Sequence, residues 1–206
     1  MCSRLSFCAK VAFTLSTSVI LSGCISLNTP NSTMSFNRLS HQERQIKLQK
    51  IKAWHATGAL SILAQGKTHL ANFSWSQQHA RRFQIKIASS LNLYVFTIKS
   101  TPEKLTFNDQ KQLISGKDSI AMTKKILGYP LPLANLYYWA RGLCGPGICK
   151  RQFNAYGQTS SVHQAGWSIR YLRYTAVHGV DLPAMIDIQT QHFKIRMAIK
   201  RWEIAP

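Results

Sequence analysis

The sequence predicts an α+β fold in which a curved antiparallel sheet is covered by helices inserted in the middle of the chain. Two observations support this prediction. Several segments alternate apolar and polar residues, as strands with one buried and one solvated face do. Between two groups of such segments, residues 118–143 have helical spacing and helix-ending signals. Helices against the apolar concave face of a sheet can enclose a water-excluding space, although a filled interior fits the same pattern.

The first residues have the features of a bacterial export signal. Arg4 and Lys10 precede an uncharged apolar run, Val11–Ile20, that is too short to span a bilayer. The stretch Leu21–Cys24 that follows resembles the lipobox of lipoprotein precursors. We therefore expect a signal peptide over residues 1–23 and acylation of Cys24, which would anchor the chain stably through several acyl chains. An ordinary signal followed by a chance cysteine is the alternative.

The remaining chain has the length of one domain. Removal of residues 1–23 from the 206-residue chain leaves 183 residues, which is enough for one sizeable core. Residues 24–39 are polar and turn-rich, so we expect them to form an acylated tether. Residues 40–206 are expected to form a single domain.

The chain is strongly basic, with 26 Lys and Arg residues, 7 Asp and Glu residues and a formal net charge of +19. Because Arg4 and Lys10 lie in the predicted signal, 24 basic and 7 acidic residues remain, a net charge of +17. Such a charge concerns partners rather than the fold. Export and the absence of a recognisable motif argue against nucleic acid. An anionic membrane surface or an acidic protein fits better, and a merely solvated basic surface is the alternative.

A helix and several strands are predicted before the inserted helices. Ser40 and Glu43 form a capping-box pattern before a thin apolar stripe that reaches Lys52, which predicts the first helix. β-prone residues predict a strand over residues 54–64, and the turn at residues 65–67 leads into a second strand. Alternation then predicts strands around Ala71–Trp75 and Phe83–Ile87. Further strand signals follow over Leu93–Lys99 and in a hairpin of Lys104–Phe107 with Gln112–Ile114. Both faces of Leu93–Lys99 are largely apolar, so we expect an element to cover it.

The inserted helices begin near Asp118, and strands return after them. The first of these helices is expected to stop at Gly128. Two prolines then form a corner before a second short helix over Leu133–Leu143. Three further strands are predicted, over Trp167–Tyr174, Ala184–Ile188 and Phe193–Lys200.

Cys144 and Cys149 are the cysteines that remain after export and acylation. In an oxidising compartment they can close a short disulfide loop, which contributes about 2 kcal/mol on the chain-entropy view. A redox or metal role is less favoured, because the spacing is not Cys-x-x-Cys and the nearest histidine is His163.

The sequence offers little for catalysis. Its 7 acidic residues lie mostly at predicted turns or element ends, where capping or solvation explains them. A glycosidase-type carboxylate pair would have to use Asp181 and Asp187 or more distant residues. There is no Gly-x-Ser-x-Gly motif, no phosphate-binding glycine-rich loop and no metal-binding histidine spacing. We therefore expect no enzyme, metal or cofactor.

Several stretches of the mature chain occur together in a distinctive order. The most specific is Gly-x-Pro-x-Pro-Leu at residues 128–133, followed by Trp-x-x-Gly-Leu at residues 139–143. The others are Ala56–Leu60, Ala71–Trp75, Gly166-Trp167, Leu182–Ala184 and Phe193–Trp202. Together with the lipobox, they resemble the LolB family of outer-membrane lipoprotein receptors in the lipoprotein localisation pathway.

The resemblance implies an incomplete, strongly curved antiparallel β-barrel with a helical lid and an apolar cavity. It also implies a monomer, lipid-anchored in the outer membrane and facing the periplasm. Its partners would be the periplasmic carrier LolA, acylated lipoprotein cargo and outer-membrane phospholipid. The expected acyl-cavity residues are the inward-facing Phe73, Trp75, Phe83, Ile85, Ile87, Phe96, Leu136, Trp139, Ile195 and Met197. For a single tryptophan among them, ordinary core is the favoured alternative.

One further position follows from the resemblance. The family presents an exposed apolar residue on a loop between two early strands, and here residues 88–92 form that loop, so Leu91 is the candidate for membrane insertion. The loop has Ser90 and Asn92 in place of the family's usual Pro-Leu-Gly. Leu91 as the start of the next strand is the alternative, but an apolar tip between polar residues favours a functional role.

Two other classes of function fit the same sequence. A structural or envelope-binding lipoprotein would have the same anchor and curved sheet around a filled core, without cargo transfer. An enzyme would need a polar cleft with converging catalytic groups. Ile25 and Ser26 follow Cys24, and the absence of Asp directly after the cysteine resembles the outer-membrane sorting pattern.

Overall fold

The computed structural model describes residues 39–64, 66–89, 94–109 and 111–204. The predicted signal peptide, Cys24 and Leu91 therefore lie outside the described residues. Within them the elements are α1 (His41–Lys50), β1 (Trp54–Ala64), β2 (Lys67–His79), β3 (Arg82–Ala88), β4 (Val95–Ser100), β5 (Leu105–Asn108), β6 (Leu113–Gly116), α2 (Ser119–Leu127), α3 (Leu133–Trp139), β7 (Cys149–Phe153), β8 (Thr159–Gln164), β9 (Trp167–Val177), β10 (Val180–Gln189) and β11 (Phe193–Ile204).

All eleven strands belong to one antiparallel sheet, in the order β6-β5-β4-β3-β2-β1-β11-β10-β9-β8-β7. The first and last of these strands, β1 and β11, pair with each other at the centre of the sheet, from Trp54 opposite Ile204 to Ala64 opposite Phe193. Within the described segments no ladder joins the two edge strands, β6 and β7, so the sheet remains open. This confirms the predicted α+β fold with an incomplete antiparallel barrel.

Local signals position the helices largely as predicted. The capping box of α1 is present, because Ser40 and Glu43 each accept a hydrogen bond from the other's backbone N–H. Helix α2 begins at the Asp118 cap and ends at Gly128, which adopts φ 77°. Helix α3 is shorter than predicted, because it ends at Trp139 and a turn with Gly142 at φ 77° replaces its last part.

The prediction of strands in the second half of the chain was incomplete. Strands β7 and β8 were missed, because β8 buries the polar residues Thr159, Ser161 and Gln164 and so lacks an apolar alternation. Strand β10 begins four residues earlier than predicted and contains Pro183. The strand tolerates this proline at a register irregularity between β9 and β10.

Candidate functional site

Strand parity gives the sheet an apolar inner wall. In β2 the inward side chains of Phe73 and Trp75 are buried, and in β3 those of Phe83 and Ile85 are buried as well. Their neighbours point to the outer face, since successive side chains of a strand alternate. The inner wall is therefore continuous across several strands.

This wall encloses an apolar cavity of about 400 Å³. Strands β4 and β10 both line it, although four other strands lie between them in the sheet. One cavity can be reached from both only because the sheet curves strongly. Side chains of α2 and α3 close it on the remaining side. The volume falls within the range of about 300–1,000 Å³ that small-molecule pockets occupy.

Most of the predicted acyl-cavity residues line this cavity. They are Phe73, Trp75, Ile85, Ile87, Phe96, Leu136, Ile195 and Met197. Phe83 and Trp139 do not line it. Phe83 lines a separate groove with residues of the β4–β5 turn. Trp139, the last residue of α3, is fully buried against β8, where its indole Nε1 donates a hydrogen bond to the Gln164 side-chain oxygen at 3.0 Å.

Other lining residues were missed. They are Leu60, Ile62, Ala64, Lys67, His69, Ile98, Ile126, Leu131, Leu133, Ile188 and Phe193. The alternation of β1 could have identified Leu60, Ile62 and Ala64, which share one parity. The polar side chains of Lys67 and His69 lie at the β1–β2 end of the cavity, where β2 begins.

The two covering helices are held unequally. The Tyr171 hydroxyl donates to the Trp139 carbonyl at 2.8 Å, which fixes α3 to β9. Among the α2 side chains that the structure describes, Met122 and Thr123 are buried and the others are partly or largely exposed. Helix α2 is therefore the more weakly held part of the cover.

Arg141 joins α3 to the first helix. Its guanidinium is 1% exposed and donates to the backbone carbonyls of Tyr137 and Leu48, each at 3.1 Å, and of Ile51. Burial lowers the pKa of the Arg141 side chain. Backbone oxygens at the end of α1 thus satisfy a buried cation and fix the turn that follows α3.

A contact at the end of the cavity joins its cover to the sheet. The Tyr129 ring lies 4.4 Å from the Phe193 ring, measured between centroids. The Tyr129 hydroxyl donates to the His192 carbonyl at 3.1 Å. The segment between α2 and α3 therefore touches the β10–β11 turn.

The two acidic residues of β10 are buried ion-pair partners and not the capping or solvated residues that the sequence favoured for most acidic positions. Asp181 pairs with Arg44 and accepts from the Gln158 amide at 3.0 Å. Asp187 is fully buried and pairs with Arg196, Arg170 and Lys194. Hydrogen bonding by Arg196, followed by Lys194, lowers the pKa of Asp187 to about 2. Asp181 and Asp187 therefore each form ion pairs with different basic residues.

The structure also bears on the cysteine pair, on metal binding and on membrane-spanning helices. Cys144 and Cys149 form a disulfide. The described residues contain no group of three or more His, Cys, Asp or Glu side chains that could hold a metal ion. Of the helices that the structure describes, none is long and apolar enough to cross a membrane.

An open, curved sheet closed by helices over an apolar cavity is the architecture of a protein class that can accept an apolar ligand. The particular family is shown by its sequence. The family model described as Outer membrane lipoprotein LolB matches residues 52–202, and the chain belongs to this family. The resemblance noted in the sequence is therefore confirmed.

Curated relatives cover nearly the whole chain. The outer-membrane lipoprotein LolB of Coxiella burnetii (strain RSA 493 / Nine Mile phase I) is 33% identical over 202 residues, which cover 97% of this chain and 94% of the relative. The LolB protein of Nitrosococcus oceani is 27% identical over 200 residues, covering 95% and 98%. Among solved structures, an outer membrane lipoprotein-sorting protein domain from Vibrio parahaemolyticus has a similar fold, with a TM-score of 0.50, 7% identity and coverage of 84% of this chain and 93% of that one.

Proposed function

We propose that this chain is a receptor, anchored in the outer membrane through Cys24, that accepts acylated lipoproteins from the periplasmic carrier LolA and inserts them into that membrane. The observation that carries the proposal is the apolar cavity of about 400 Å³ between the curved sheet and its helical cover. Membership of the LolB family supports the role in lipoprotein localisation. No cofactor enters this scheme.

The energetics explain why an apolar cavity suits such a task. A triacylated cargo has on the order of 45 methylenes, each worth about 0.8 kcal/mol when buried, so its release into water would cost tens of kcal/mol. The acyl chains must therefore pass from one apolar site to another. Transfer needs no nucleotide if the receptor binds the cargo more tightly than the carrier does and the bilayer binds it more tightly again.

The cavity also distinguishes a lipoprotein receptor from a structural lipoprotein. A structural lipoprotein needs a filled core, and close packing is the normal state of a protein interior. Here apolar residues such as Ile62 and Phe96 line open space instead of filling it. Space lined by apolar side chains favours an exchangeable apolar ligand.

The test is transfer of a labelled lipoprotein from loaded LolA to the acylated receptor in vesicles. In Ile62→Glu a charge would enter the cavity wall, so uptake of cargo should fall at least tenfold, because a carboxylate that faces the cavity strongly disfavours acyl chains. The matched control is Ser61→Glu, whose side chain lies on the outer face one position away. Equal transfer by the two variants, both shown to be folded by circular dichroism, would contradict the proposal.

The same assay tests the role that we propose for Leu91. In Leu91→Glu, transfer from carrier to receptor should remain near normal, while insertion of the cargo into the vesicle bilayer should fall. The physical reason is that a carboxylate at the tip of the loop opposes contact with the hydrocarbon region. Normal insertion by this variant would remove Leu91 from the mechanism and leave the receptor function intact.

A further inference from the structure

The disulfide loop presents an apolar side chain directly to solvent. Ile148 is 92% exposed, the largest exposure among the large apolar side chains that the structure describes as exposed. It lies inside the loop closed by Cys144 and Cys149. The Gln164 side chain also holds this loop, since it accepts from the Gly145 N–H at 2.9 Å and donates to the Gly145 carbonyl at 2.8 Å. A short, doubly held loop therefore keeps an isoleucine in water.

Ile148 directly precedes β7, beside a row of polar and basic residues that strand pairing aligns on the outer face. Lys150 of β7 lies opposite His163 of β8, and both side chains are exposed. The row continues through Ser168 and Gln189 to Lys194 of β11. Ile148, Lys150 and His163 also line a surface groove of about 650 Å³ beside the β8–β9 and β10–β11 turns.

This row also continues to the β1–β2 end of the apolar cavity. Lys194 lies opposite Leu63 of β1, whose side chain is 41% exposed. Leu70 of β2 is diagonal to Leu63 on the same face and is 68% exposed. At this end of the sheet, exposed apolar side chains therefore lie at both ends of a row that contains Lys150, His163 and Lys194.

The charge of this end is one-sided. Residues 146–150, 163–168, 189–194, 63–64 and 66–68 contain Lys67, Lys150 and Lys194 and no Asp or Glu. The nearest acidic residue along β10, Asp187, is fully buried and pairs with Lys194 as well as with Arg170 and Arg196, so three cations share one anion and a positive excess remains. An electropositive surface with protruding apolar side chains complements an anionic bilayer, where lysines contact headgroups and apolar side chains enter the acyl boundary.

We propose that this end of the sheet, defined by Ile148, Lys150, His163, Lys194, Leu63 and Leu70 and called the docking end below, rests on an anionic phospholipid surface. Ile148 enters the interface, and Lys150 and His163 contact headgroup phosphates. The docking end includes the β1–β2 end of the cavity, where Ala64 and Lys67 line it. The inference deepens the proposed function, because docking would face that part of the cavity towards the bilayer.

The tether permits this orientation. The described part of the chain starts at the opposite end of the sheet, where Leu39 and His41 approach Gly157 in the β7–β8 turn. Fourteen residues lie between Cys24 and Leu39, and a chain of that length spans up to about 50 Å when extended. Either end of the domain can therefore reach the membrane, so the anchor alone does not select the docking end.

The test uses a photo-crosslinking amino acid in the acylated full chain, reconstituted into vesicles without cargo or carrier. It replaces Ile148 in one variant and Tyr156 in the matched control. Tyr156 is 56% exposed in the β7–β8 turn at the other end of the sheet. With vesicles of phosphatidylethanolamine and phosphatidylglycerol, we expect lipid adducts mainly from position 148.

Charge substitutions sharpen the test. Lys150→Gln should lower the ratio of docked to undocked molecules about fivefold at low salt, as expected for one lysine near an anionic surface. Phosphatidylcholine vesicles should lower it in the same way. Equal lipid adducts from positions 148 and 156 would overturn the proposal. So would a separate reaction with LolA in place of lipid in which position 148 forms protein adducts, if that position forms none with the vesicles. Because no cargo is present, this failure is distinguishable from failure of lipoprotein transfer.

Discussion

At the scale of single residues, Asp187 shows how a very basic chain stabilises its sheet. Its carboxylate lies between two cross-strand arginines, Arg196 on β11 and Arg170 on β9, with Lys194 nearby. The distances from the carboxylate to these cations are 2.6, 3.3 and 3.3 Å. One buried anion thus offsets three cations that would otherwise repel one another on neighbouring strands.

The lowered pKa of Asp187 predicts an acid-dependent loss of stability. Because its pKa is about 2 in the folded chain and about 3.9 in an unfolded one, its contribution is present above pH 4 and lost as the pH falls towards 2. Solvent screening at the half-exposed cations reduces this contribution to about 1–2 kcal/mol. Asp187→Asn should therefore lower the free energy of unfolding by that amount at pH 7 and by much less at pH 2, as measured by urea titration.

Glu203 provides the control for Asp187. Its ion pair with Arg201 spans 3.4 Å and both side chains are largely exposed. Glu203→Gln should change the free energy of unfolding by less than about 0.5 kcal/mol, because exposed pairs contribute little. A loss for Asp187→Asn that is equally large at pH 2 and pH 7 would assign the effect to packing rather than to charge.

At the scale of elements, the two covering helices differ in what stabilises them. Helix α3 is fixed by buried side chains and by hydrogen bonds to β8 and β9. Helix α2 has nine residues, which is short for an isolated helix. Its ends depend on the Asp118 cap and on Gly128 in the left-handed region. The local stability of α2 is therefore expected to be sensitive to its capping residue.

Removal of that cap should loosen α2 selectively. The Asp118 carboxylate accepts from the Ile120 and Ala121 N–H groups at 2.9 and 3.0 Å. Asp118→Ala should destabilise α2 by about 1 kcal/mol. Hydrogen exchange measured by mass spectrometry should then be about fivefold faster in α2 and unchanged in α3.

Asp118→Asn is the control for the capping prediction, because asparagine caps helices about as well as aspartate. Exchange in this variant should remain close to that of the native chain. If Asp118→Ala accelerates α2 and α3 equally, the two helices open as one unit and the proposed difference between them is wrong.

At the scale of the whole molecule, the seam between β1 and β11 joins the two halves of the chain. The register shifts between Thr57 and Gly58 at this seam. A Cβ added at Gly58 would lie 2.1 Å from the Ala198 carbonyl oxygen and 2.9 Å from the Phe73 ring. Glycine is required here by the close approach of a neighbouring strand.

Gly58→Ala should therefore destabilise the domain strongly. The backbone of β11 must move to admit the methyl group, so we expect a loss of at least about 2 kcal/mol in the free energy of unfolding. Ala59→Ser, whose side chain points to the other face, should change it by less than about 0.5 kcal/mol. Thermal unfolding followed by circular dichroism measures both. Similar melting temperatures for the two variants would show that the seam adapts to the methyl group.

Local pattern determined much of the fold and of the cavity wall. Alternation alone predicted the inward faces of β2 and β3, including Phe73, Trp75 and Ile85, because the side-chain period of a strand is two. Capping chemistry predicted where α1 begins and where α2 ends, since these signals act over a few residues. Strand β8 could not be predicted in this way, because its buried polar residues find partners on distant elements: the Thr159 hydroxyl donates to the Gly142 carbonyl at 2.8 Å.

The sequence by itself determined the family, the export signature and the alternation that makes an apolar inner face. Only the tertiary structure decided which apolar side chains meet open space. Phe96 lines the cavity, whereas Trp139 is buried between α3 and β8. The tertiary structure also placed Ile148 beside Lys150 and His163, and paired Asp187 with its cations. The physical reason is that side-chain direction follows from local backbone geometry, whereas neighbours depend on pairings between strands that are far apart in the chain.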